Sequence, residues 1–450
     1  MGGALVSAVA TARSTRRTEG VDKVRALQRV LYRCAKQQPE RRFHALYDKV
    51  ARSDVLSRAW VEVRTNRGAP GVDGIAIDDV EAAGVASFLD DLAAALRTRA
   101  YRPSPLRRVH IPKSGRPGVT RPLGIPTVRD RVVMTAAKLV LEPIFEARFL
   151  GCSYGFRPGR TAHQALDAVA VAANRGAEWV LDADIEACFD HIDHDALVTL
   201  VERRVSDRDV IKLLRCWLRA GIFEGGAVSD VEAGTPQGSP VSPLLANIVL
   251  HTLDEAWQAV GRPPGVLVRY ADDLVVVCPT RQRAVQARDL VAAVLATVGL
   301  RLHPDKTRIV HLRKGAEGFD FLGFHLRKCQ SRRGKWWLLR WPSKRAMAAI
   351  RAKVRQRTAR RLARLPLRQV VTMLNRVLRG WGNYFRYGNS SRQFAAVDSH
   401  VRLRLARLAS VKHGRAGHNW TTTYNYAWSQ RLGVAWLVGT VRSGAAHATR

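Results

Sequence analysis

Residues 266–277 read VLVRYADDLVVV, and this stretch decides the fold of the region around it. It is apolar except for Arg269 and the acid pair Asp272-Asp273, so the pattern predicts a β-hairpin with both acids at its turn. Unpaired carboxylates are costly to bury, and two divalent cations about 3.5–4 Å apart would compensate their charge. Two consecutive acids are common in loops, so it is the strand-like flanks that indicate a metal site here.

A third candidate carboxylate lies at the end of the alternating stretch 179–185. Its apolar side chains at 179, 181, 183 and 185 fall on one face, while Val180, Asp182 and Asp184 fall on the other. The alternation predicts a β-strand, and Asp184 would complete the metal site if this strand neighboured the hairpin. Because Asp182 faces the same way as Asp184, the alternation alone does not choose between the two acids.

Mixed α/β structure is predicted on both sides of this centre. Residues 101–126 indicate short strands around a Gly-rich turn, and residues 129–149 have the periodicity of a long helix. Ser242-Pro243 is typical of an N-cap followed by proline in the first turn of a helix. That helix continues through Leu253.

The charge of the chain indicates a polyanionic partner. The 450 residues contain 74 Lys plus Arg against 38 Asp plus Glu, a net charge of +36, with 46% hydrophobic residues. At about 150 residues per domain, the length predicts about three domains, and nucleic acid is the usual partner of such a surface. A ribosomal or chromatin-type packing protein is the alternative, although such proteins are usually shorter and poorer in aromatic residues. No run reaches the 18 or so apolar residues of a membrane-spanning helix, so a membrane is a weaker candidate.

The cysteines give no sign of zinc or disulfides. None of the six, at 34, 152, 188, 216, 278 and 329, lies within four residues of another, which excludes zinc knuckles and Cys-rich nuclease fingers. Residues 1–20 lack the order of a secretion signal and are expected to be an extension. We therefore expect reduced core thiols in a cytoplasmic protein.

Several motifs, taken with the acid pair, resemble those of the reverse transcriptases encoded by group II introns. They stand in the family's order between about residue 66 and residue 412. They are RPLGIP at 121–126, YGFRPGR at 154–160, DIEACF at 184–189, GTPQGSP at 234–240, SPLLAN at 242–247, YADD at 270–273, HPDKT at 303–307, FLGF at 321–324 and LRGWGNYF at 378–385. The last of these resembles the thumb-like maturase (X) domain of intron-encoded proteins.

The resemblance implies an α+β fold of the right-hand polymerase type, with fingers and palm followed by an all-helical thumb/maturase domain. Five segments are expected: an N-terminal extension at 1–22, fingers with part of the palm at 23–150, the palm with the catalytic reverse transcriptase core at 151–330, the thumb/maturase domain at 331–411, and a short basic segment at 412–450 that could be a DNA-binding remnant. Relatives often end in a Cys/His nuclease domain, and here no Cys pairs follow Lys412, so second-strand cleavage is not expected.

The family's catalytic roles carry over to matching positions of this sequence. Asp184, chosen over Asp182 by its spacing to Phe189, would hold two Mg²⁺ ions together with Asp272, with Mn²⁺ as a substitute. Asp273 would lie alongside, and the Ile185 carbonyl would add an oxygen ligand. Other positions would contact the incoming dNTP: Phe189 at the sugar 2′ position, Lys113 and Arg121 at the triphosphate, Gln237 at the nucleotide or template, and Lys306 at a phosphate. Without the resemblance, Phe189 is equally well a core residue, and the cations could be solvated.

The strongest bias of charge lies at the C-terminal end. From His325 to Arg450 there are 28 Lys plus Arg and a single acid, Asp398. Helical periods run through 346–365, stop at Pro366, and return at 370–378 and 401–408. These helices, with Trp336, Trp337 and Trp341 interleaved, suit structured RNA. The candidate RNA-binding residues are Arg357, Arg360 and Arg364, spaced as one helical face, together with Arg379 and Trp381.

The sequence therefore predicts an RNA-directed DNA polymerase of a group II intron that also binds its intron RNA to assist splicing and mobility. The expected partners are intron RNA in a ribonucleoprotein, an RNA template with a DNA primer, dNTPs and target DNA, and the expected place is the cytoplasm, at the nucleoid or ribonucleoprotein. The oligomeric state is left open. Two alternatives remain: a retron, diversity-generating or defence-associated reverse transcriptase, or a non-catalytic RNA-binding maturase.

Overall fold

The computed structural model describes residues 23–112, 118, 120–229, 233–235, 238–313, 317–414 and 420–442. Its N-terminal part is helical and precedes a hairpin and a long buried helix. The elements are α1 (23–37), α2 (Tyr47–Val50), α3 (Ser53–Asn66), α4 (Ile77–Ala83), α5 (Val85–Arg97), β1 (Leu106–Pro112), β2 (Thr120–Ile125) and α6 (Val128–Glu146). Helix α6 is buried along most of its length and packs against α3, which confirms the long helix predicted at 129–149.

The hairpin β1–β2 belongs to a sheet with the order β2-β1-β4-β5, where β4 is Ile222–Glu224 and β5 is Ala227–Ser229. Strands β1 and β2 are antiparallel, with Arg107 opposite Ile125, whereas β1 and β4 run parallel. The strands predicted within 101–126 are therefore confirmed.

A second four-stranded sheet forms the centre of the molecule. Its order is β6-β7-β3-β8, all neighbours being antiparallel. The strands are β3 (Trp179–Asp184), β6 (Val266–Tyr270), β7 (Asp273–Cys278) and β8 (Arg308–His311), and the helices of this part are α7 (Ala162–Asn174), α8 (Cys188–His191), α9 (His194–Glu202), α10 (Arg208–Leu218), α11 (Ser242–Ala259) and α12 (Arg281–Ala296).

Both faces of this sheet are covered. Leu181 and Val276 pack into the core formed with α11 and α12, whereas Val180 and Val277 pack into the core formed with α7 and the C-terminal helices. Coverage on both faces explains why β6 and β7 read as continuous apolar runs instead of alternating. Helix α11 begins one position earlier than predicted: Ser242 is its first residue, and Val241 takes the N-cap position.

The C-terminal part starts with a third sheet, β11-β10-β9, formed by β9 (Phe319–Phe321), β10 (Phe324–Gln330) and β11 (Trp336–Pro342). Because β11 lies after residue 331, the segment predicted to be all-helical from 331 opens with a strand, and Trp336, Trp337 and Trp341 lie on it and not on helices. The helical elements then follow: α13 (Lys344–Arg357), a 3₁₀ helix (Arg360–Arg364), α14 (Leu367–Phe385), α15 (Ser391–Lys412), α16 (Trp420–Thr423) and α17 (Tyr426–Arg431).

The prediction of one helical face carrying Arg357, Arg360 and Arg364 is wrong. Helix α13 ends at Arg357, and Arg360 and Arg364 lie on the separate 3₁₀ helix. The break is held from α15, because the Arg404 guanidinium donates to the Thr358 carbonyl at 3.1 Å and to its hydroxyl at 3.2 Å. The last carbonyls of a helix have no hydrogen-bond partner within the helix. Because Arg404 donates to the Thr358 carbonyl, the helix can end there without leaving that carbonyl unpaired.

Residues 433–438 are packed onto the C-terminal helices. The Asp398 carboxylate accepts hydrogen bonds from the backbone N–H groups of Leu437 and Val438, and the Asn375 amide donates to the Gly433 carbonyl at 2.8 Å. Leu437 lies directly over Gly382, where an added Cβ would come within 2.6 Å of it. Residues 433–438 of the basic segment 412–450 thus contribute to the packing of the C-terminal helices, while 415–419 and 443–450 lie outside the described residues.

Two expectations about the chain as a whole can be compared with the structure. All six cysteines are free, with Cys188 and Cys278 buried. Within the described ranges, no helix combines the length and apolarity needed to cross a membrane.

Candidate active site

The three candidate carboxylates meet where β3 and β7 pair. Asp184 lies directly opposite Asp273 in this antiparallel ladder, and Asp272 lies in the turn that joins β6 to β7. Directly opposed residues point their side chains to the same face of a sheet. The hairpin prediction and the predicted neighbouring strand are therefore confirmed, and together they place Asp184 beside the acid pair.

The turn depends on close contact with a glycine from the YGFRPGR motif. Ala271 has a left-handed backbone with φ of 56°, and Gly155 lies against it. A Cβ built on Gly155 would come within 2.2 Å of the Ala271 nitrogen and 2.7 Å of the Tyr270 carbonyl carbon, so only glycine fits. The glycine of this motif therefore supports the turn that carries Asp272.

A buried polar network lies behind the same turn. Arg269 is fully buried, and its guanidinium donates to both carboxylate oxygens of Asp254, at 3.0 and 2.5 Å. It also donates to the Asn247 side-chain oxygen at 2.9 Å and to the Ala271 carbonyl at 3.1 Å. Asn247 in turn donates to the Gly155 carbonyl at 2.9 Å. One guanidinium thus joins helix α11, the Gly155 loop and the turn.

The ionisation of the network agrees with a permanent ion pair. Burial raises the pKa of Asp254, but the Arg269 charge and hydrogen bonds from His251 and Arg269 more than offset this and bring the pKa down to about 2. Sequence reasoning noted Arg269 as the one charge within an apolar strand but did not assign it a partner. That isolated charge was the signal that could have indicated the network.

Two of the three candidate acids, Asp272 and Asp273, have raised pKa values. Burial, together with the charges of Asp272, Asp184 and Asp182, raises the pKa of Asp273 to about 7, and Arg121 opposes the shift. Burial also raises the pKa of Asp272, with Asp184 acting in the same direction and Arg121 and Arg269 against it. Neighbouring acids that raise one another's pKa favour a cation between them.

Lys306, from the predicted nucleotide-binding set, lies beside these acids, and a second cation, Arg308, lies beside Asp182. The Lys306 ammonium donates to the Asp184 carboxylate at 2.5 Å, and Arg308 pairs with Asp182 at 3.0 Å. Asp182 therefore has a partner of its own. Within the described residues, no three His, Cys, Asp or Glu side chains are close enough together to hold a metal ion. Asp184 and Asp273 lie on one face of the sheet, and Lys306 supplies positive charge at Asp184.

Ile185, whose carbonyl was predicted as a ligand, continues past the end of β3 as a single bridge to Leu302. The hydrogen bonds beside it use the Asp184 carbonyl, which accepts from His303 at 2.8 Å, and the Glu186 N–H, which donates to Arg301 at 3.0 Å. The chain therefore continues as an extended strand past Asp184. Because the Asp184 carbonyl and the Glu186 N–H both point to the 301–303 segment, the Ile185 carbonyl between them points to the opposite side, where β7 and the acid pair lie.

The described residues of the GTPQGSP segment pack between the Phe189 turn and the hairpin β1–β2. The Thr235 N–H donates to the Phe189 carbonyl at 2.6 Å, and Gly234 lies against the Asp190 backbone. At the other end of the loop, Gly238 lies against the Gly124 carbonyl of β2. Phe189 is half-buried against the palm core, so its ring has one face on the core and part of its surface exposed. Lys113 and Gln237 lie outside the described residues.

The predicted RNA-binding residues fall in two environments. Arg357, Arg360, Arg364 and Arg379 are exposed. Trp381 is half-buried on α14, with its ring centroid 4.7 Å from that of Phe385 and 5.5 Å from that of Phe394. Most of the Trp381 ring is therefore used in packing, which leaves less of it for a base than the sequence pattern implied.

Comparisons with known proteins give two family matches. The family described as reverse transcriptase (RNA-dependent DNA polymerase) matches residues 111–326, and the group II intron maturase-specific domain matches residues 347–426. Protein YkfC of Escherichia coli K12 is 34% identical over 349 residues, covering 69% of this chain and 90% of YkfC.

Two further proteins are matched over a smaller share of their own length. The group II intron-encoded protein LtrA of Lactococcus lactis subsp. cremoris is 37% identical over 213 residues, which cover 47% of this chain and 35% of LtrA. A solved structure titled as a partial Cas6-RT-Cas1–Cas2 complex is 26% identical, covers 56% of this chain and 41% of that chain, and has a TM-score of 0.36. The aligned region thus spans about a third of LtrA.

Proposed function

The chain belongs to the family of group II intron reverse transcriptases with a maturase domain, and from this membership we propose that it copies RNA into DNA at the turn carrying Asp272 and binds its intron RNA through the basic C-terminal part. The observation that carries the first half is the meeting of Asp184 and Asp273 across β3 and β7, with Asp272 beside them. Carboxylates that share one face, with the pKa of Asp272 and of Asp273 raised, suit divalent cations.

Reverse transcriptases use divalent metal ions, and we infer that the ions here are two Mg²⁺, with Mn²⁺ as a substitute. Asp184, Asp272 and Asp273, with the Ile185 carbonyl, would hold them, because hard cations prefer carboxylate and carbonyl oxygens. When bound, such ions stabilise the charge that develops on the transferred phosphoryl group and on the leaving pyrophosphate. The chain's own part is to hold the acids on one rigid face through the Gly155 contact and the Arg269 network.

The remaining residues position the nucleotide. Lys306 pairs with Asp184, and the Arg121 charge opposes the raised pKa of Asp272 and Asp273, so both carry the positive charge that a triphosphate needs there. Lys113 and Gln237 complete the proposed nucleotide-binding set. The Phe189 backbone carbonyl accepts from the Thr235 N–H, which fixes the backbone that carries the half-buried ring, and we propose that this ring stands at the sugar and excludes a 2′-hydroxyl. The preference for dNTPs thus depends on a side chain fixed by the GTPQGSP loop.

The second half of the proposal concerns RNA. The partners would be intron RNA, an RNA template with a DNA primer, and target DNA, with the protein in a ribonucleoprotein at the nucleoid. The match to the maturase-specific domain at 347–426 favours this over a retron or diversity-generating enzyme. Arg360 and Arg364 on the 3₁₀ helix, Arg357 at the end of α13 and Arg379 on α14 are exposed cations that would contact RNA phosphates.

The catalytic half is tested by primer extension on an RNA template with Mg²⁺ and dNTPs. We expect the full chain to extend the primer and the Asp272→Asn variant to lose extension while binding the primer–template within a few-fold of the parent. Asp289→Asn, on the surface of α12, is the matched control and should extend normally. Extension by the Asp272 variant at the parental rate would refute the assignment, and RNA binding by a parent chain unable to extend would indicate a non-catalytic maturase.

A further inference from the structure

A groove of about 1020 Å³ lies along helix α10, and none of its lining residues is a candidate catalytic or nucleotide-binding residue. We call it the α10 groove. Its lining contains one acid, Glu202, and six cations: Arg42, Arg102, Arg208, Lys212, Arg215 and Arg219. A concave surface with one sign of charge concentrates the field and attracts ions of the opposite sign.

Four of these cations follow one face of α10. Arg208, Lys212, Arg215 and Arg219 are spaced four, three and four residues apart, so they form a row about 16 Å long at 1.5 Å per residue. Arg215 is paired with Asp195 at 2.8 Å, and Arg219 lies near enough to lower the pKa of the same acid together with Arg215. In the part of the chain that the structure describes, Arg208 and Lys212 have no ion-pair partner.

The stability of α10 does not account for this row. Arg208 is the first residue of the helix, where the helix dipole favours an acid over a cation. The pairs Arg208/Lys212 and Arg215/Arg219 are like charges at the i, i+4 spacing, which opposes helix formation. Asp207 already caps the helix by accepting from the Asp209 and Val210 N–H groups. The dipole favours cations at the C-terminal end of α10, where Arg215 and Arg219 lie, but it does not favour Arg208, and Arg208 and Lys212 repel each other, so these two cations indicate a role in binding.

The two cations on the opposite wall are held in place by neutral groups. Arg102 donates to the carbonyls of Arg99 and Tyr101, both at 2.8 Å, and Arg42 donates to the Glu202 carbonyl at 3.0 Å. Carbonyl acceptors fix the direction of a guanidinium without neutralising it. The groove thus presents positive charge that is oriented before any ligand arrives, which lowers the entropy lost on binding.

The floor of the groove indicates which part of a nucleic acid it would contact. Pro103, Pro105, Ile211 and Cys216 contribute apolar surface, and none of the described lining residues is aromatic. Single-stranded RNA is usually held by stacking its bases on aromatic rings, whereas double-helical RNA is held through its shape and its phosphates. A groove with cations on both walls and no ring suits a helical backbone.

We propose that the α10 groove binds the phosphate backbone of an RNA helix, giving the chain a second RNA-binding surface that shares no residue with the carboxylate turn or with the candidate RNA-binding residues of the C-terminal part. The positive charge of the groove is seen in the structure, and only the choice of RNA as the polyanion that it binds rests on the proposed function. Because the contacts are to phosphates, this binding is independent of base sequence and strongly dependent on salt.

The test uses the full chain and an RNA hairpin with a stem of about 16 base pairs. In the triple variant Arg208→Gln, Lys212→Gln and Arg219→Gln, three groove charges are removed and the Arg215–Asp195 pair is left intact. The matched control removes three exposed charges elsewhere, through Arg262→Gln, Arg281→Gln and Arg288→Gln. Binding is measured between about 50 and 200 mM salt, with single-nucleotide extension on saturating primer–template as the second measurement.

We expect the triple variant to bind the hairpin at least about tenfold more weakly, with a log–log salt slope shallower by about 2 to 3, since each phosphate contact contributes about 0.9. The control should bind like the parent, and both variants should extend at the parental rate. Should the triple variant not fold, Lys212→Gln alone carries the test, with an expected change in slope of about 1.

Parental affinity and slope in the groove variants would overturn the proposal. So would weaker binding to a DNA duplex of the same length with unchanged RNA binding, because the groove would then hold target DNA. Failure of the parent chain to extend a primer would refute the proposed polymerase function. The groove proposal would still be decided by whether the triple variant binds the RNA hairpin more weakly than the parent.

Discussion

Removing both members of the Arg269–Asp254 pair should leave a folded chain that no longer polymerises. The pair is buried, and Arg269 also donates to the Ala271 carbonyl in the turn that carries Asp272. Truncating one member of a buried ion pair costs about 3–5 kcal/mol, because the other charge stays buried alone. Asp254→Leu and Arg269→Met should each lower the free energy of unfolding by about that amount, a large part of a typical 5–15 kcal/mol.

The double variant separates stability from activity. With both charges removed, the Asn247 side-chain oxygen and the Ala271 carbonyl no longer receive a hydrogen bond. Each unpaired acceptor lowers the free energy of unfolding by at most about 1–3 kcal/mol. The double variant should therefore be more stable than the sum of the single effects predicts, by several kcal/mol in a double-mutant cycle. Its turn, however, would have lost the hydrogen bond at Ala271, and displacement of reacting groups by about 1 Å can cost about 100-fold in rate.

The measurements are urea unfolding followed by tryptophan fluorescence and single-nucleotide extension with saturating primer–template. We expect the double variant to lose less free energy of unfolding than the two single variants lose together, and to extend about 100-fold more slowly, with the affinity for primer–template unchanged. Arg269→Lys keeps a charge for Asp254 but has no planar fork for Asn247 and Ala271, so it should recover more stability than activity. A double variant that extends at the parental rate would show that the network only supports the fold.

Three other outcomes follow from the same geometry. Phe189→Ala should raise incorporation of rNTPs relative to dNTPs in side-by-side extension assays, and an unchanged preference would make Phe189 a core residue only. Gly155→Ala should abolish extension because its Cβ would meet the Ala271 nitrogen, whereas Gly151→Ala, with open space around the added carbon, should be active; equal activity of the two variants would contradict the close contact at the turn. The folded pKa of Asp254 is depressed from 3.8 to about 2, so its contribution, about 2 kcal/mol at neutral pH, should be lost as pH falls through that interval, and the double variant should lack this loss in acid unfolding curves.

The sequence alone determined the elements whose signals are local. The hairpin at 266–277, the strand ending at Asp184 and the strands within 101–126 follow from runs and alternation of apolar residues, which depend only on burial and on the two-residue period of a strand. The acid pair was predicted at the turn because an apolar hairpin holds charges most easily there; Asp272 does lie in the turn, whereas Asp273 is the first residue of β7. The family motifs then identified Asp184 over Asp182, and the pairing of Asp182 with Arg308 leaves Asp184 beside the acid pair.

The tertiary structure decided whatever depends on residues far apart in the chain. Arg404 ends α13 at Arg357, a break that helical periodicity cannot detect because the periodicity continues through it. The same holds at the site. That Gly155 supports Ala271 and that Lys306 pairs with Asp184 are contacts between loops more than a hundred residues apart, and neither leaves a local pattern. Hydrophobic patterning fixes which face is buried, but only the assembled fold fixes which polar groups meet there.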